Sequence, residues 1–223
     1  MKKILIILFL TFISKNSFAA DGTGPATEYI VTMKKIELCE DSACSSSTTV
    51  GDSSMAVDIS GVSAGADVGK FASTDGLPIG TTFSHLRVTI DRSFTITGSV
   101  TIGSTTCGTD GGTDNDADHL LDSGTGTPVS TAMYLSDADG YAVADGDNDA
   151  DQISIGYDSP THASSMSVSG DDALMIYKLS TPYKVGFKTP LIKVKFNTQN
   201  AVGADDTSCV MYVEEPTVTI SIQ

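Results

Sequence analysis

The sequence predicts an all-β protein, an antiparallel β-sandwich of Ig-like layering with long Asp-rich loops, on three observations. Leu86, Val88, Ile90, Phe94, Ile96, Val100 and Ile102 share one parity, while Arg87, Thr89, Asp91, Ser93, Thr95, Thr97, Ser99 and Thr101 fill the other. Alternation over that length fits a half-buried strand, whereas a helix would scatter those side chains around its circumference. Shorter alternating runs recur along the chain between clusters of Gly, Ser, Asp and Pro, which is the punctuation of antiparallel strands. Long runs of helix formers are scarce, and there is no Trp.

At the start of the chain, Lys2 and Lys3 precede an apolar run from Ile4 to Leu10 that continues through Phe12 and Ile13, and Ser17-Phe18-Ala19 offers small residues at a cleavage position. Residues 1–19 therefore read as an export signal, too short for a transmembrane span. Position 20 is Ala, so no lipoprotein-type cysteine follows it. Residues 20–223 are then expected to form a single β-sandwich domain with an Asp/Gly-rich loop insertion at about 103–172. Loss of Lys2, Lys3 and Lys15 takes the formal charge from −15 to −18. Such a surface excludes nucleic acid and anionic membranes as favoured partners, and no later stretch is apolar enough for membrane insertion after signal cleavage.

The first strand is expected over Tyr29 to Leu38. Tyr29, Val31 and Met33 share a face while Ile36 and Leu38 have the opposite parity, which requires a bulge near Lys34-Lys35. Met55 to Ile59 forms another candidate. Leu86 to Ile102 fits either one long bent strand or two strands meeting near Asp91 to Ser93, with only Arg92 and Gly98 interrupting the apolar face. His85 falls on the polar face of that strand and is expected to be solvated. From Gly103 to Asp172 the strand signals thin, with Val129 to Leu135 as a candidate, and strands resume at Ala173 to Leu179. The remaining candidates are Ile192 to Asn197, Cys209 to Val213 and Thr217 to Ile222.

Four Cys in an exported chain form two disulfides most simply, with three pairings formally possible. Cys39 and Cys44 flank a short turn, and a local bridge there leaves Cys107 with Cys209. A thiolate-held metal is disfavoured, since no paired C-x-x-C unit is present.

One set of residues carries a family resemblance. Tyr29 to Leu38 is followed by Val57-Asp58-Ile59, then Leu77-Pro78-Ile79-Gly80-Thr81, then Leu86-Arg87-Val88. Residues 27–97, under a third of the 223-residue chain and ending before the Asp-rich stretch, resemble a bacterial family of exported domains of unknown function with a prealbumin-like β-sandwich, whose members share a Leu-Pro-x-Gly-Thr turn before an x-Arg-Leu/Val strand. The resemblance implies a fold and an exported location, with no activity attached.

Chemistry-bearing residues concentrate between Ser93 and Tyr177, which hold fourteen Asp and no Lys, Arg or Glu. Asp114, Asp116 and Asp118 alternate, as do Asp145, Asp147, Asp149 and Asp151, with Asp158 eleven residues after Asp147. Such spacing lets a curled loop aim several carboxylates at one hard cation, and Ca²⁺ takes about six to eight oxygens. Gln152 stands where an EF-hand requires its turning Gly, so the pattern fits a looser extracellular calcium loop, with a solvated acidic loop as the alternative. His119 adjoins Asp118, but neither it nor His85 or His162 has metal-ligand spacing. Gly61-Val62-Ser63-Ala64-Gly65 matches a nucleophile-elbow string, yet no helix is expected after it. Leu120-Leu121-Asp122-Ser123-Gly124-Thr125 resembles the Asp-Ser/Thr-Gly string of aspartic proteases, whose chemistry needs a second Asp.

The expected function is that of an exported, non-enzymatic structural or interaction protein of the cell surface, periplasm or extracellular space. A filament or surface-assembly subunit is its specific form, self-associating by strand addition through Thr217 to Gln223 or Asp21 to Thr27. The alternatives are a periplasmic ligand or metal-ion binder and an aspartic-type protease acting through Asp122.

Overall fold

The computed structural model describes residues 22–60, 74–109, 126–134, 152–153, 163–188, 190–205 and 209–222. These contain strands and turns and no helix. In chain order the strands are β1 (Gly22–Gly24), β2 (Ala26–Cys39), β3 (Ser47–Asp58), β4 (Thr82–Ile102) and β5 (Thr105–Gly108). They continue with β6 (Thr131–Tyr134), β7 (Gln152–Ile153), β8 (Ala163–Ser169) and β9 (Asp172–Lys184). The last are β10 (Ile192–Asn197), β11 (Val202–Asp205), β12 (Val210–Val213) and β13 (Thr217–Ile222).

The alternating run is one continuous strand, β4, and it organises the main antiparallel sheet, whose order is β3-β2-β4-β9-β8-β7. Along one edge β2 follows it from Cys39 opposite His85 to Ala26 opposite Gly98. Along the other, β9 pairs with Thr82 to Asp91, and β6 takes over from Ser93 to Ile96. The change of neighbour falls where two strands were the alternative expectation. There the Asp91 carboxylate accepts the Ser93 N–H at 2.9 Å, and Arg92 donates from its backbone N–H to Asp171 O at 2.9 Å and from Nη1 to Gly170 O at 3.1 Å. Side-chain and turn acceptors thus satisfy the backbone and guanidinium while β4 bends without breaking.

Register converts the parity of each strand into rows across the sheet. Leu38, Leu86 and Tyr177 form one row, Ile36, Val88 and Met175 the next, and Met33, Ile90 and Ala173 a third. The expected bulge is present, because the pairing of β2 with both β3 and β4 shifts register between Met33 and Lys35. Without it Ile36 and Leu38 would point away from the core, since a slip of one residue turns every side chain to the opposite face.

Two smaller sheets, β1-β11-β12 and β10-β13, complete the all-β architecture. The former packs on the distal part of β4, where Val100, Val202, Ala204 and Met211 are all fully buried. Gly98 interrupts the apolar face for a steric reason: a Cβ there would lie 2.6 Å from Val202 Cγ2 and 2.7 Å from Pro25 O. Both expected disulfides are closed, with Cα–Cα distances of 4.9 Å for Cys39–Cys44 and 5.1 Å for Cys107–Cys209. The second ties β5, hairpin partner of β4, to the residue just before β12, and so links the main sheet to the β1-β11-β12 sheet.

Three expectations change. His85 is buried, at 9% exposure, and not solvated; it sits directly opposite Cys39, so the Cys39–Cys44 bridge closes over that face. The candidate at Met55 to Ile59 is the end of a twelve-residue strand, β3. The insertion at 103–172 holds strands as well as loops: β5 returns from β4 through Gly103-Ser104, and β8 joins β9 through Gly170-Asp171. Each two-residue turn begins with a Gly at positive φ, 61° and 60°, as type II′ hairpins require. In β8, Met166 and Val168 face inward between serines, and the serine content disguised an ordinary alternation.

The two bridges should contribute unequally. The chain-entropy model gives about 4–5 kcal/mol for a loop spanning about 100 residues and about 2 kcal/mol for a loop of about five. Replacing Cys107 and Cys209 by Ser should therefore lower the unfolding free energy in urea roughly twice as much as replacing Cys39 and Cys44. Equal losses would show that native-state packing, and not loop closure, sets their value.

Candidate functional site

The eight Asp expected to hold calcium, Asp114, Asp116, Asp118, Asp145, Asp147, Asp149, Asp151 and Asp158, lie outside the described residues. So do His119, His162, Gly61 to Gly65 and Asp122. Among the described residues no group of three or more His, Cys, Asp or Glu is placed to hold a metal. Three polar clusters are described, and each joins strands that are distant in sequence.

The bulge in β2 builds the first two by delivering consecutive lysines to the outer face. Lys34 Nζ lies 3.0 Å from Asp91 Oδ2 and 2.5 Å from Asp172 Oδ1. Asp91 and Asp172 are direct cross-strand partners, a like-charge pairing that is unfavourable by itself. Burial lowers the Lys34 pKa, but hydrogen bonds and charge from Asp172 and Asp91 outweigh it and raise the pKa overall. Lys35 turns the other way and donates to Glu37 Oε1 at 2.9 Å. Arg87, the cross-strand partner of Glu37, donates from Nε to Oε2 at 2.7 Å, and Ser47 Oγ donates to Oε1 at 3.1 Å. Burial alone would raise the Glu37 pKa, but the Arg87 and Lys35 hydrogen bonds and charges hold it at about 2.

The third cluster is interior. Glu215, on the link between β12 and β13, accepts the Ala163 N–H at 2.7 Å through Oε1 and also bonds the Tyr177 hydroxyl. Tyr177 is pushed well above the ordinary phenol range by burial and then by the Glu215 charge. Burial, followed by the charges of Glu215 and Glu214, moves Tyr29 the same way. Burial also raises the Glu214 pKa. Both phenols therefore stay protonated within the core, and Tyr177 is tied there by hydrogen bonding. No buried side-chain nitrogen or oxygen among the described residues lacks a partner.

None of these ties was foreseen. Glu37, Arg87 and Lys35 all stood on polar parities, but which strands meet, and in what register, is not written in local alternation. The one available signal was the Lys34-Lys35 pair at the point where the parity reverses. Comparison with family models, with curated proteins and with solved structures gives no match. The likeness to exported prealbumin-like domains therefore rests on its motif residues alone.

Two measurements test these clusters. The Glu37 carboxyl is depressed from the usual 4.5 to about 2 in the folded protein. Its stabilisation is therefore present above the unfolded pKa and lost as pH falls through about 2. Glu37→Gln should cost about 2 kcal/mol in urea unfolding near pH 7, allowing for solvent screening around its partners, and nearly nothing at the acid end. A penalty independent of pH would remove the ionic explanation. In an ultraviolet titration of the native protein, Tyr29 and Tyr177, two of the seven tyrosines, should fail to ionise at roughly pH 10, so that at least two phenols titrate only on unfolding. Tyr177→Phe should eliminate one of the two and cost about 1–2 kcal/mol; ordinary ionisation of all seven would contradict the interior assignment.

Proposed function

We propose that this chain is an exported, non-enzymatic structural or interaction module that works at the cell surface, in the periplasm or outside the cell, as a subunit of a surface assembly. The observation that carries the reading is the all-β frame closed by two disulfides, a covalent arrangement suited to an oxidising compartment. The signal-like residues 1–19 agree with it. The ties at Lys34, Glu37 and Glu215 support the same reading, because each spends its charge on joining strands.

Assembly by exchange of a terminal strand would have to open existing pairs. Gly22 to Gly24 already pairs with β11, and Thr217 to Ile222 pairs with β10 over six positions. Contact between preformed surfaces is therefore the form of association favoured here. The Asp-rich sequence of residues 110–158 binds Ca²⁺ in this proposal, and the ion offsets carboxylates that have no Lys or Arg in the same stretch.

Calcium should raise the melting temperature. At about ten times an extracellular-type Kd the linkage term is about 1.4 kcal/mol, or a shift of roughly 3–6 °C for a domain of this size. The shift should fall away when Asp145, Asp147, Asp149 and Asp151 are replaced by Asn. An unchanged melting curve and unchanged loop proteolysis in millimolar Ca²⁺ would remove calcium from the proposal.

A further inference from the structure

Charge is segregated along the sequence. No Lys or Arg occurs from Ser93 to Tyr177, whereas Ala173 to Ala204 contains no Asp or Glu and holds Lys178, Lys184, Lys188, Lys193 and Lys195. The fold brings the middle of this acid-free run against the turn that precedes β4. Gly80 N–H donates to Val185 O at 2.9 Å, Val185 N–H donates to Thr81 O at 2.8 Å, and Thr74 Oγ1 donates to Pro190 O at 2.6 Å.

Those bonds set the turn bearing Ile79 beside the segment bearing Phe187 and Leu191. All three side chains face water: Phe187 is 95% exposed, Ile79 63% and Leu191 49%. A single exposed apolar residue is ordinary. Three on two hydrogen-bonded segments, with exposed Lys184 and Lys188 flanking the aromatic ring in sequence, make an anchor of the kind that interfaces use: an aromatic centre with a polar, charged rim.

We propose that this end of the molecule docks on the acidic surface of a second copy of the chain, with Phe187 as the inserted anchor and Lys184 and Lys188 contacting carboxylates around it. The partner follows from charge. With 28 acidic against 13 basic residues, two copies repel over most approaches, and the exposed Lys184 and Lys188 offer the opposite sign beside the ring. At physiological ionic strength the net repulsion is screened beyond about 8 Å, while pairs in contact and the buried ring keep their attraction. The contact joins different surfaces of the two copies, so it repeats and builds a ring or an open filament. The inference rests on the assembly reading above and gives it a surface.

Sedimentation velocity of the full mature chain at physiological salt, over a wide concentration range, tests the proposal. Wild type should form oligomers that grow with concentration. Phe187→Asp and the double change Lys184→Glu, Lys188→Glu should each weaken association about tenfold or more, with melting temperatures unchanged because these side chains are exposed. Phe187→Tyr should retain association. Oligomers that persist in both disruptive variants would overturn this surface and leave assembly standing. A wild type that stays monomeric at every concentration would overturn both. Binding of a monomeric wild type to vesicles containing phosphatidylglycerol, lost in Phe187→Asp, would assign the anchor to anionic lipid and overturn docking between copies.

Discussion

Within its 21 residues strand β4 must keep Leu86, Ile90, Ile96 and Val100 buried on one face while its hydrogen-bonding edge changes partner, and much of the fold answers that requirement. A twisted strand of this length cannot hold a flat neighbour along its whole edge. Hence β9 gives way to β6 at Asp91 to Ser93, and β2 bulges at the matching position on the opposite edge. The bulge restores inward parity for Ile36 and Leu38 and at the same stroke frees Lys34 to sit between Asp91 and Asp172. Backbone irregularity and ion pair are thus one device: the sheet bends where a cation holds together two carboxylates that strand pairing has forced to face each other.

The covalent and polar ties then distribute strength along the spine. Cys107–Cys209 closes a loop of 102 residues near the distal end, where Val100 and Met211 are buried together in the core. Cys39–Cys44 pinches only the turn at the proximal end, where Ser84 Oγ donates to Glu40 O at 2.8 Å and the Asp41 carboxylate accepts the N–H groups of Ala43 and Ser45. Between the two ends, Glu215 reaches from the second layer to the start of β8 and to Tyr177. These parts of the fold are therefore connected by a disulfide at one point and a partly buried carboxylate at another, in addition to apolar contact.

Elements that depend on nearest-neighbour periodicity were legible in the sequence, and those that depend on which strands meet were not. The course of β4 and the reversal at Lys34-Lys35 follow from a side chain and its immediate neighbours, whereas the need for Gly98 comes from Val202 and Pro25, distant in sequence. The burial of His85 and Glu37 is not local either. His85 is covered because Cys39 is its cross-strand partner and carries a disulfide, and Glu37 is covered because Arg87, Lys35 and Ser47 converge on it. Strand β8 was hidden for another reason: Ser165, Ser167 and Ser169 serve equally as turn residues or as the solvent face of a strand, and its pairing with β9 decides between them. The Asp residues expected from their spacing to hold calcium lie outside the described residues.

Charge distribution connects these structural points to the proposed role. The described acidic groups with close cationic partners are neutralised within the frame: Glu37 by Arg87 and Lys35, Asp91 and Asp172 by Lys34. Lys184 and Lys188 stand exposed on a chain whose formal charge is −15. A strongly acidic protein is kept soluble by self-repulsion, so any ordered association must be directional and confined to a patch where the sign reverses. An exposed phenyl ring between two lysines meets that condition, because the lysines select the approach and the ring supplies burial once contact is made. The end bearing Phe187 therefore joins an exposed ring to two exposed cations, which is the combination that the proposed contact requires.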